Sequence, residues 1–149
     1  KREAWKGAFR GVDPWTMATL GECDGTLIMA TDGVIHSERK MRAVIKNARA
    51  DLAVAKEYGS FDRYLWGYTK GKTLFYKGHG TGTLPTANGL SRAISRDLKK
   101  RGFSFVGPVT IYSYLEAVGV INDHDESCPR YQALFSLSDA VWADPFEES

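Results

Sequence analysis

The stretch Asp97-Leu-Lys-Lys-Arg-Gly-Phe-Ser-Phe-Val-Gly-Pro108 decides the fold of this chain. A basic helix end runs into a short span bracketed by Gly102 and Gly107, and a new helix opens at Pro108. Glycine just past a helix end and proline at the first helical position are the usual punctuation of two consecutive helices. The stretch therefore predicts a helix–hairpin–helix over about residues 88–118.

The rest of the chain carries the same helical punctuation and little strand alternation. Asp13 and Pro14 predict the start of one short helix, Asp24 the cap of a second, and Ser37 the cap of the longest, which ends at Gly59. One apolar face of that long helix repeats at helical spacing: Met41, Val44, Ile45, Ala48, Leu52 and Ala55. We predict an all-α bundle of short helices containing the helix–hairpin–helix.

Weaker signals complete this organisation. Ser60 is expected to cap a further helix, and the stretch 69–85 to be a loop with at most a short extended segment near Phe75. The first hairpin helix starts at either Thr86 or Asn88, and one short helix precedes an acidic, frayed end. We expect a helical domain over 1–130 and a C-terminal tail over 131–149.

Composition sets limits on the class of protein. The 149 residues are 43% apolar and 26% charged, which fits a globular domain with a core and excludes a disordered chain. A net charge of +2 is too small to indicate nucleic acid by itself. Two cysteines and no signal peptide favour a reducing cytoplasm or nucleoid. The sequence starts without Met, so we expect it to begin inside a longer protein.

The hairpin nevertheless predicts DNA binding. The first backbone N–H groups of a helix lack internal acceptors and carry the positive end of its dipole, so they suit a phosphate oxygen. Gly107 lets a DNA backbone approach without a Cβ in the way, and Thr110 adds a hydroxyl. Lys99 and Lys100 add sequence-independent attraction. A plain helical hairpin remains the alternative.

Side chains around the hairpin are assigned by their helical positions. Phe103, Phe105 and Val106 are expected to be buried between the two helices. Ser113 faces a different way from the apolar residues of its helix, so it projects into a cleft. Core packing and stacking on a base are both open roles for the many aromatic residues.

A half metal site follows the second hairpin helix. His124 and Cys128 are spaced so that both could ligate one zinc ion, but a structural zinc site needs four ligands. The other histidines and cysteine, His36, His79 and Cys23, are not placed nearby by their spacing. A surface histidine beside a half-buried cysteine is the alternative. The nearby acids are expected to be caps or solvated charges: Glu116, Asp123, Asp125 and Glu126.

Taken together, these residues resemble the type I 3-methyladenine-DNA glycosylase family, a branch of the helix–hairpin–helix glycosylases. The resemblance rests on four stretches that match in order and spacing: Arg101-Gly-Phe-Ser-Phe-Val-Gly107, Tyr112-Ser-Tyr114, Val120-Ile-Asn-Asp-His124 and Cys128. Upstream stretches also match, and they are Asp13-Pro14, Gly33-Val-Ile35, Lys40 and Ile45-Lys-Asn-Ala-Arg-Ala50.

The resemblance implies a monofunctional enzyme that flips alkylated adenine out of double-stranded DNA and hydrolyses its N-glycosidic bond. It further implies that Ser113 lines the base pocket and that the turn at Gly107 holds the DNA backbone. His124 and Cys128 would be two of the four ligands of a structural zinc ion in the intact protein. The expected protein is a monomer in the bacterial cytoplasm, associated with the nucleoid and not with a membrane.

The same resemblance places the catalytic acid in an N-terminal segment that precedes the position matching Lys1. The catalytic residue is therefore unknown, and we expect these 149 residues to excise bases weakly and to hold zinc poorly. The rival hypothesis is a non-catalytic DNA-binding module that kept the hairpin and lost base excision.

Overall fold

The computed structural model describes residues 2–9, 11, 13–34, 36–76, 86–125, 127–135 and 141–143. The described helices are α1 (Arg2–Ala8), α2 (Pro14–Thr19), α3 (Glu22–Met29), α4 (Glu38–Tyr58), α5 (Phe61–Gly67), α6 (Gly89–Lys100), α7 (Pro108–Ala117) and α8 (Pro129–Phe135). The described strands are β1 (Leu74–Tyr76), β2 (Ile121–Asn122) and β3 (Val141–Ala143). The predicted all-α class is confirmed, with a small sheet added to it.

Most predicted helix boundaries are confirmed. Asp13 precedes Pro14 and accepts a hydrogen bond from the Thr16 amide at 2.9 Å, so it is the N-cap of α2. Asn88 rather than Thr86 precedes α6, and its Oδ1 accepts from the Ser91 amide at 2.8 Å. The short helix expected near the C-terminus is α8.

The predicted cap of α3 is wrong by one turn. Gly21 is the N-cap, and Asp24 lies inside the helix, where its Oδ2 accepts from the Gly21 amide at 2.8 Å. An acidic side chain three residues into a helix reaches back to the cap backbone in this way. The aspartate therefore signalled the right helix start, displaced by three residues.

The chain forms two compact units, the first from Lys1–Phe61 with Lys99–Phe105 and the second from Asp62–Leu98 with Val106–Ser149. In the described part of the first unit, α2 and α3 pack against α4. Its core joins residues of α3 and α4 with residues that follow the ends of α1, α2 and α3: Phe9, Leu20, Ile28, Val34, Met41 and Ile45. Trp5 stacks on Phe9, with their ring centroids 5.3 Å apart.

The second unit is built on the small sheet. Its strands are parallel in the order β2-β1-β3, with Leu74 opposite both Ile121 and Val141. Parallel neighbours need a crossover, and the chain between β1 and β2 carries α6 and α7. Buried residues of these elements include Phe75, Ile94, Leu98, Ile111, Leu115 and Ile121. None of the described helices has the length and apolar content needed to cross a membrane.

Candidate nucleic-acid interface

The exit from α6 follows the predicted hairpin pattern. Gly102 has φ of +94°, a left-handed conformation that favours glycine, and its amide donates to the Lys99 carbonyl at 3.0 Å. Lys99 and Lys100 are both exposed. The two lysines assigned to DNA attraction are therefore open to solvent.

Asn47 on α4 fixes the middle of the hairpin, a contact that the sequence analysis missed. Its Oδ1 accepts from the Ser104 amide at 2.8 Å, and its Nδ2 donates to the Ser104 carbonyl at 3.0 Å. The side-chain amide thus pairs with both polar groups of one backbone residue, as a neighbouring strand would. A hint was present, because asparagine is a poor residue for a helix interior unless its side chain has a partner.

The Arg101 side chain binds other residues of the first unit, so its charge is not available at the surface in the way that an unpaired lysine's charge is. Its guanidinium donates to Glu57 at 2.7 and 3.3 Å and to the Tyr58 hydroxyl at 2.7 Å. The same group lies 5.0 Å from the centroid of the Tyr58 ring. The basic run before the hairpin therefore divides into one tied arginine and the two exposed lysines, Lys99 and Lys100.

The expected burial of the hairpin aromatics is correct only in part. Phe103 packs on Phe61, with ring centroids 6.0 Å apart. Phe105 is 49% exposed, so its predicted burial is wrong. Phe105 has φ of +60°, a conformation that non-glycine residues rarely adopt, and the Arg39 guanidinium lies 5.2 Å from its ring centroid. Val106 is half-buried, and its carbonyl accepts from the buried Ser95 hydroxyl at 2.6 Å.

Gly107 is the N-cap of α7 in an ordinary extended conformation, with φ of −64° and ψ of 158°. A Cβ added there would meet no atom of the described protein within 4 Å. Neither strain nor internal crowding therefore requires glycine at this position. No side chain caps α7 at Gly107, and the exposed Val109 and Thr110 carry amides that the helix itself leaves unpaired.

Ser113 lies on the exposed side of α7, as predicted. Ile111, Tyr112 and Leu115 are buried, whereas Ser113 and Tyr114 are exposed. Three buried neighbours fix the rotation of the helix, so the serine hydroxyl is held outward.

A cluster of buried polar side chains lies on the buried side of α7, at Tyr112. The Tyr112 hydroxyl donates to Asp123, which is buried, so the prediction that Asp123 is a cap or a solvated charge is wrong. Burial and the hydrogen bond to Asp123 raise the pKa of Tyr112. Burial, together with the nearby Asp123 charge, also raises the pKa of Tyr76 to about 12, while the 2.5 Å hydrogen bond from Asn88 opposes that shift. Both phenols therefore stay neutral at physiological pH.

The remaining acids have separate roles. Asp125 is a local cap, as expected, because its Oδ1 accepts from the Ser127 amide at 2.8 Å and from the Ser127 hydroxyl at 2.5 Å, and these bonds lower its pKa. Partial burial and the neighbouring Asp123 charge raise the pKa of Glu116, against a lowering effect of His124. Glu126 lies outside the described residues.

His124 and Cys128 do not form a complete metal site among the described residues. His124 is exposed and its amide donates to Asn122 Oδ1 at 3.2 Å, while the half-buried Cys128 has a free thiol. No group of three or more histidine, cysteine, aspartate or glutamate side chains in the described part could hold an ion. Tetrahedral structural zinc needs four ligands, so these two residues do not suffice by themselves. His36 is exposed, and His79 and the Cys23 side chain lie outside the described residues.

The fold and these contacts define a class of protein: a small helical protein whose glycine-capped helix start is open and suited to an anion. The model of the methyladenine glycosylase family matches residues 1–131 of the chain. The chain belongs to the methyladenine glycosylase family.

Individual relatives agree with this assignment. The chain is 34% identical over 129 residues to DNA-3-methyladenine glycosylase of Haemophilus influenzae. The aligned region covers 87% of this chain and 70% of that protein. It is also 34% identical over 131 residues to DNA-3-methyladenine glycosylase 1 of Escherichia coli, with coverages of 88% and 70%. A solved structure of 3-methyladenine DNA glycosylase I from Staphylococcus aureus matches with a TM-score of 0.78 and 32% identity, covering 86% of this chain and 68% of that one.

Proposed function

We propose that this protein is a base-excision repair glycosylase that hydrolyses the N-glycosidic bond of 3-methyladenine in alkylated DNA. The family match across residues 1–131 carries this proposal. Relatives at 34% identity bear the name DNA-3-methyladenine glycosylase, which agrees with it. We further propose that the substrate is double-stranded and that the protein acts as a cytoplasmic monomer near the nucleoid.

The open start of α7 is the proposed contact with the DNA backbone. The unpaired amides of Val109 and Thr110 would donate to phosphate oxygens, with the Thr110 hydroxyl beside them. The bare Gly107 lets a strand approach closely, which supports a role for glycine that the protein's own packing does not explain. Lys99 and Lys100 would strengthen the attraction without reading sequence.

Ser113 would line the pocket that receives the flipped base. Its exposure on α7, six residues after Gly107, supports this role, because a base must leave the stack to reach a glycosylase. In the reaction, water adds to C1′ of the sugar while the C1′–N bond to the base breaks. The cationic base leaves as neutral 3-methyladenine, and the proton from water passes to solvent.

This leaving group makes modest demands on the protein. A positively charged base already withdraws electrons from the bond that breaks, so recognition and water access can supply much of the catalysis. We assign no described residue as the catalytic acid. Asp123 is bonded to Tyr112 in the interior, which supports a structural role for it.

Zinc binding at His124 and Cys128 is a further proposal. His124 and Cys128 would supply two ligands, and two more would have to come from residues that the structure does not place beside them. We expect the 149-residue chain to hold zinc weakly. Elemental analysis after dialysis tests this, and one tightly bound equivalent that is lost in a His124→Ala variant would contradict the expected weak binding.

Release of the free base tests the proposed function. The protein is incubated with duplex DNA treated with a methylating agent, and free 3-methyladenine is measured by chromatography. We expect release above a protein-free control and a drop of about 2- to 10-fold for Ser113→Ala, the loss of about one hydrogen bond. Thr26→Ala, which removes an exposed hydroxyl on α3, is the matched control. Salt-sensitive DNA binding with no release would instead favour the non-catalytic module.

A further inference from the structure

A further charged surface lies within the first unit, and it shares Lys99 with the interface proposed above. It is a groove of about 360 Å³ between the exposed side of α4 and the hairpin residues that follow α6. We name it the α4 groove, and its charged lining residues are Arg39, Arg42, Lys46 and Lys99. Phe103, Ser104 and Phe105 form the hairpin side of the same groove.

The three α4 cations share one helix face. Arg39, Arg42 and Lys46 are spaced three and four residues apart, so they lie in one row. At the rise of an α-helix this row is about 10 Å long. About 10 Å of duplex axis carries roughly three phosphates of one strand. The row therefore has the length of a short run of DNA backbone.

Most of this charge is not neutralised by the part of the chain that the structure describes. Arg42 is paired with Glu38 at 2.7 Å, and none of the described residues that line the groove is a carboxylate. Among the described residues, neither Lys46 nor Lys99 has an ion-pair partner, and both are exposed. Counting Glu38 against Arg42, the described residues that line the groove carry a net charge of about +3.

The hairpin side of the groove is held in place. Asn47 binds both backbone polar groups of Ser104, and the Phe105 ring lies beneath the Arg39 guanidinium. A cation stacked on an exposed ring loses side-chain freedom before any ligand arrives, which lowers the entropic cost of binding.

We propose that the α4 groove binds consecutive phosphates of a DNA strand. The proposal rests on the proposed function, which supplies DNA as the ligand. Phe105 at the groove edge is only two residues along the chain from Gly107. The groove's charge and the row's length fit a polyanion.

The test compares two double variants that each remove two positive charges. Arg39→Gln with Lys46→Gln changes the groove, and Lys56→Gln with Lys72→Gln changes exposed lysines outside it. Binding of each protein to an unmethylated, fluorescent duplex is titrated at several salt concentrations. Each phosphate contact contributes about 0.9 to the slope of log affinity against log salt. We expect the groove variant to lose about two units of slope, with at least about tenfold weaker binding, and the control to keep the slope of the unmodified protein.

Equal slopes for the two folded double variants would overturn the proposal. Circular dichroism checks folding. Lys46→Gln alone, expected to lose about one unit of slope, replaces the groove double variant if that variant fails to fold, and Lys56→Gln alone is then its control. A poly-glutamate peptide that binds the groove, with an unchanged duplex slope in the groove variant, would also overturn it. Base release by the unmodified protein is measured in parallel. If the unmodified protein releases no base, the proposed function is wrong. If it releases base normally but the groove variant keeps the salt slope of the unmodified protein, only the proposal of DNA binding in the α4 groove is wrong.

Discussion

Gly107 shows how a single residue can report on a partner outside the chain. Glycine is usually explained by a left-handed backbone or by a close neighbour, and Gly102 illustrates the first case with φ of +94°. Gly107 has neither feature. The space that its missing side chain leaves open is on the outside of the protein, where a DNA strand would approach.

Gly107→Ser should therefore separate stability from DNA binding. Serine is a better N-cap than glycine, so we expect an unchanged or slightly higher melting temperature. The added side chain would obstruct the strand and cap the amides offered to it, so DNA affinity should fall about tenfold, the loss of one charge-assisted hydrogen bond. Gly21→Ser at the N-cap of α3 is the matched control and should leave affinity unchanged. Equal affinity for both variants would remove the α7 start from the interface.

Asp51 should make the stability of the fold depend on pH, in a direction that follows from its raised pKa. It is half-buried on α4, and desolvation raises its pKa above the ordinary value of 3.8. The folded state thus binds this proton more tightly than the unfolded state, so the charged form destabilises the fold at neutral pH. The penalty disappears as pH falls through the raised pKa toward 3.8.

Asp51→Asn should accordingly raise the melting temperature at pH 7, and this gain should shrink toward zero in acid. The exposed Asp32→Asn is the control and should show no comparable gain at pH 7. Thermal unfolding followed by circular dichroism at several pH values measures both. A gain that grows as the solution is acidified would contradict the assigned shift.

At the scale of elements, the hairpin depends on one side-chain amide. Asn47 makes two hydrogen bonds to Ser104, and both would be lost with alanine. Half-buried backbone groups would then lack a protein partner, which typically costs about 1–3 kcal/mol. Asn47→Ala should lower the free energy of unfolding by this amount in denaturant titrations. Asn47→Asp should also lower it, because a carboxylate oxygen would replace the amide group that donates to the Ser104 carbonyl.

Lys56→Ala on the same helix is the control, with an expected change within about 0.5 kcal/mol because Lys56 is exposed. If Asn47→Ala behaved like this control, the amide would not be holding the hairpin.

The helices were predictable, as was the extended segment that forms β1, whereas the pairing of the sheet was not, for a physical reason. Helix signals are local: Asp13-Pro14, Asn88 and Gly107-Pro108 each specify a boundary within a few residues. Strand β2 is two residues long, and its pairing with β1 joins residues 47 positions apart, such as Leu74 and Ile121. Nothing within so short a segment distinguishes it from a loop.

In the candidate site too, the local features were predicted and the tertiary contacts were not. The exposure of Ser113 follows from helical periodicity, and it was predicted. The Asn47 contact to Ser104 and the burial of Asp123 beneath Tyr112 are tertiary, and they were missed. The outward position of Phe105 depends on a left-handed backbone that its residue type does not suggest.

At the scale of the whole molecule, DNA binding should depend on salt far more than on sequence. The proposed contacts are backbone amides, a hydroxyl, lysines and the arginines of the α4 groove, and none of them reads a base edge. Two unrelated duplexes of equal length should therefore bind within a few-fold of each other at one salt concentration. Raising salt from about 50 to 200 mM should weaken both together. A large preference for one duplex, measured by fluorescence anisotropy, would point to an unassigned base contact.

The arrangement of the sheet has a practical consequence for anyone who trims this protein. β3 supplies one of the two neighbours of the central strand β1, through backbone pairing at Leu74, Phe75 and Tyr76. Deleting the chain from residue 136 onward would strip that neighbour away and leave a row of unsatisfied amides and carbonyls. An exposed strand edge of this kind can pair with a strand of another molecule. The shortened protein should therefore aggregate more readily in storage than the full chain.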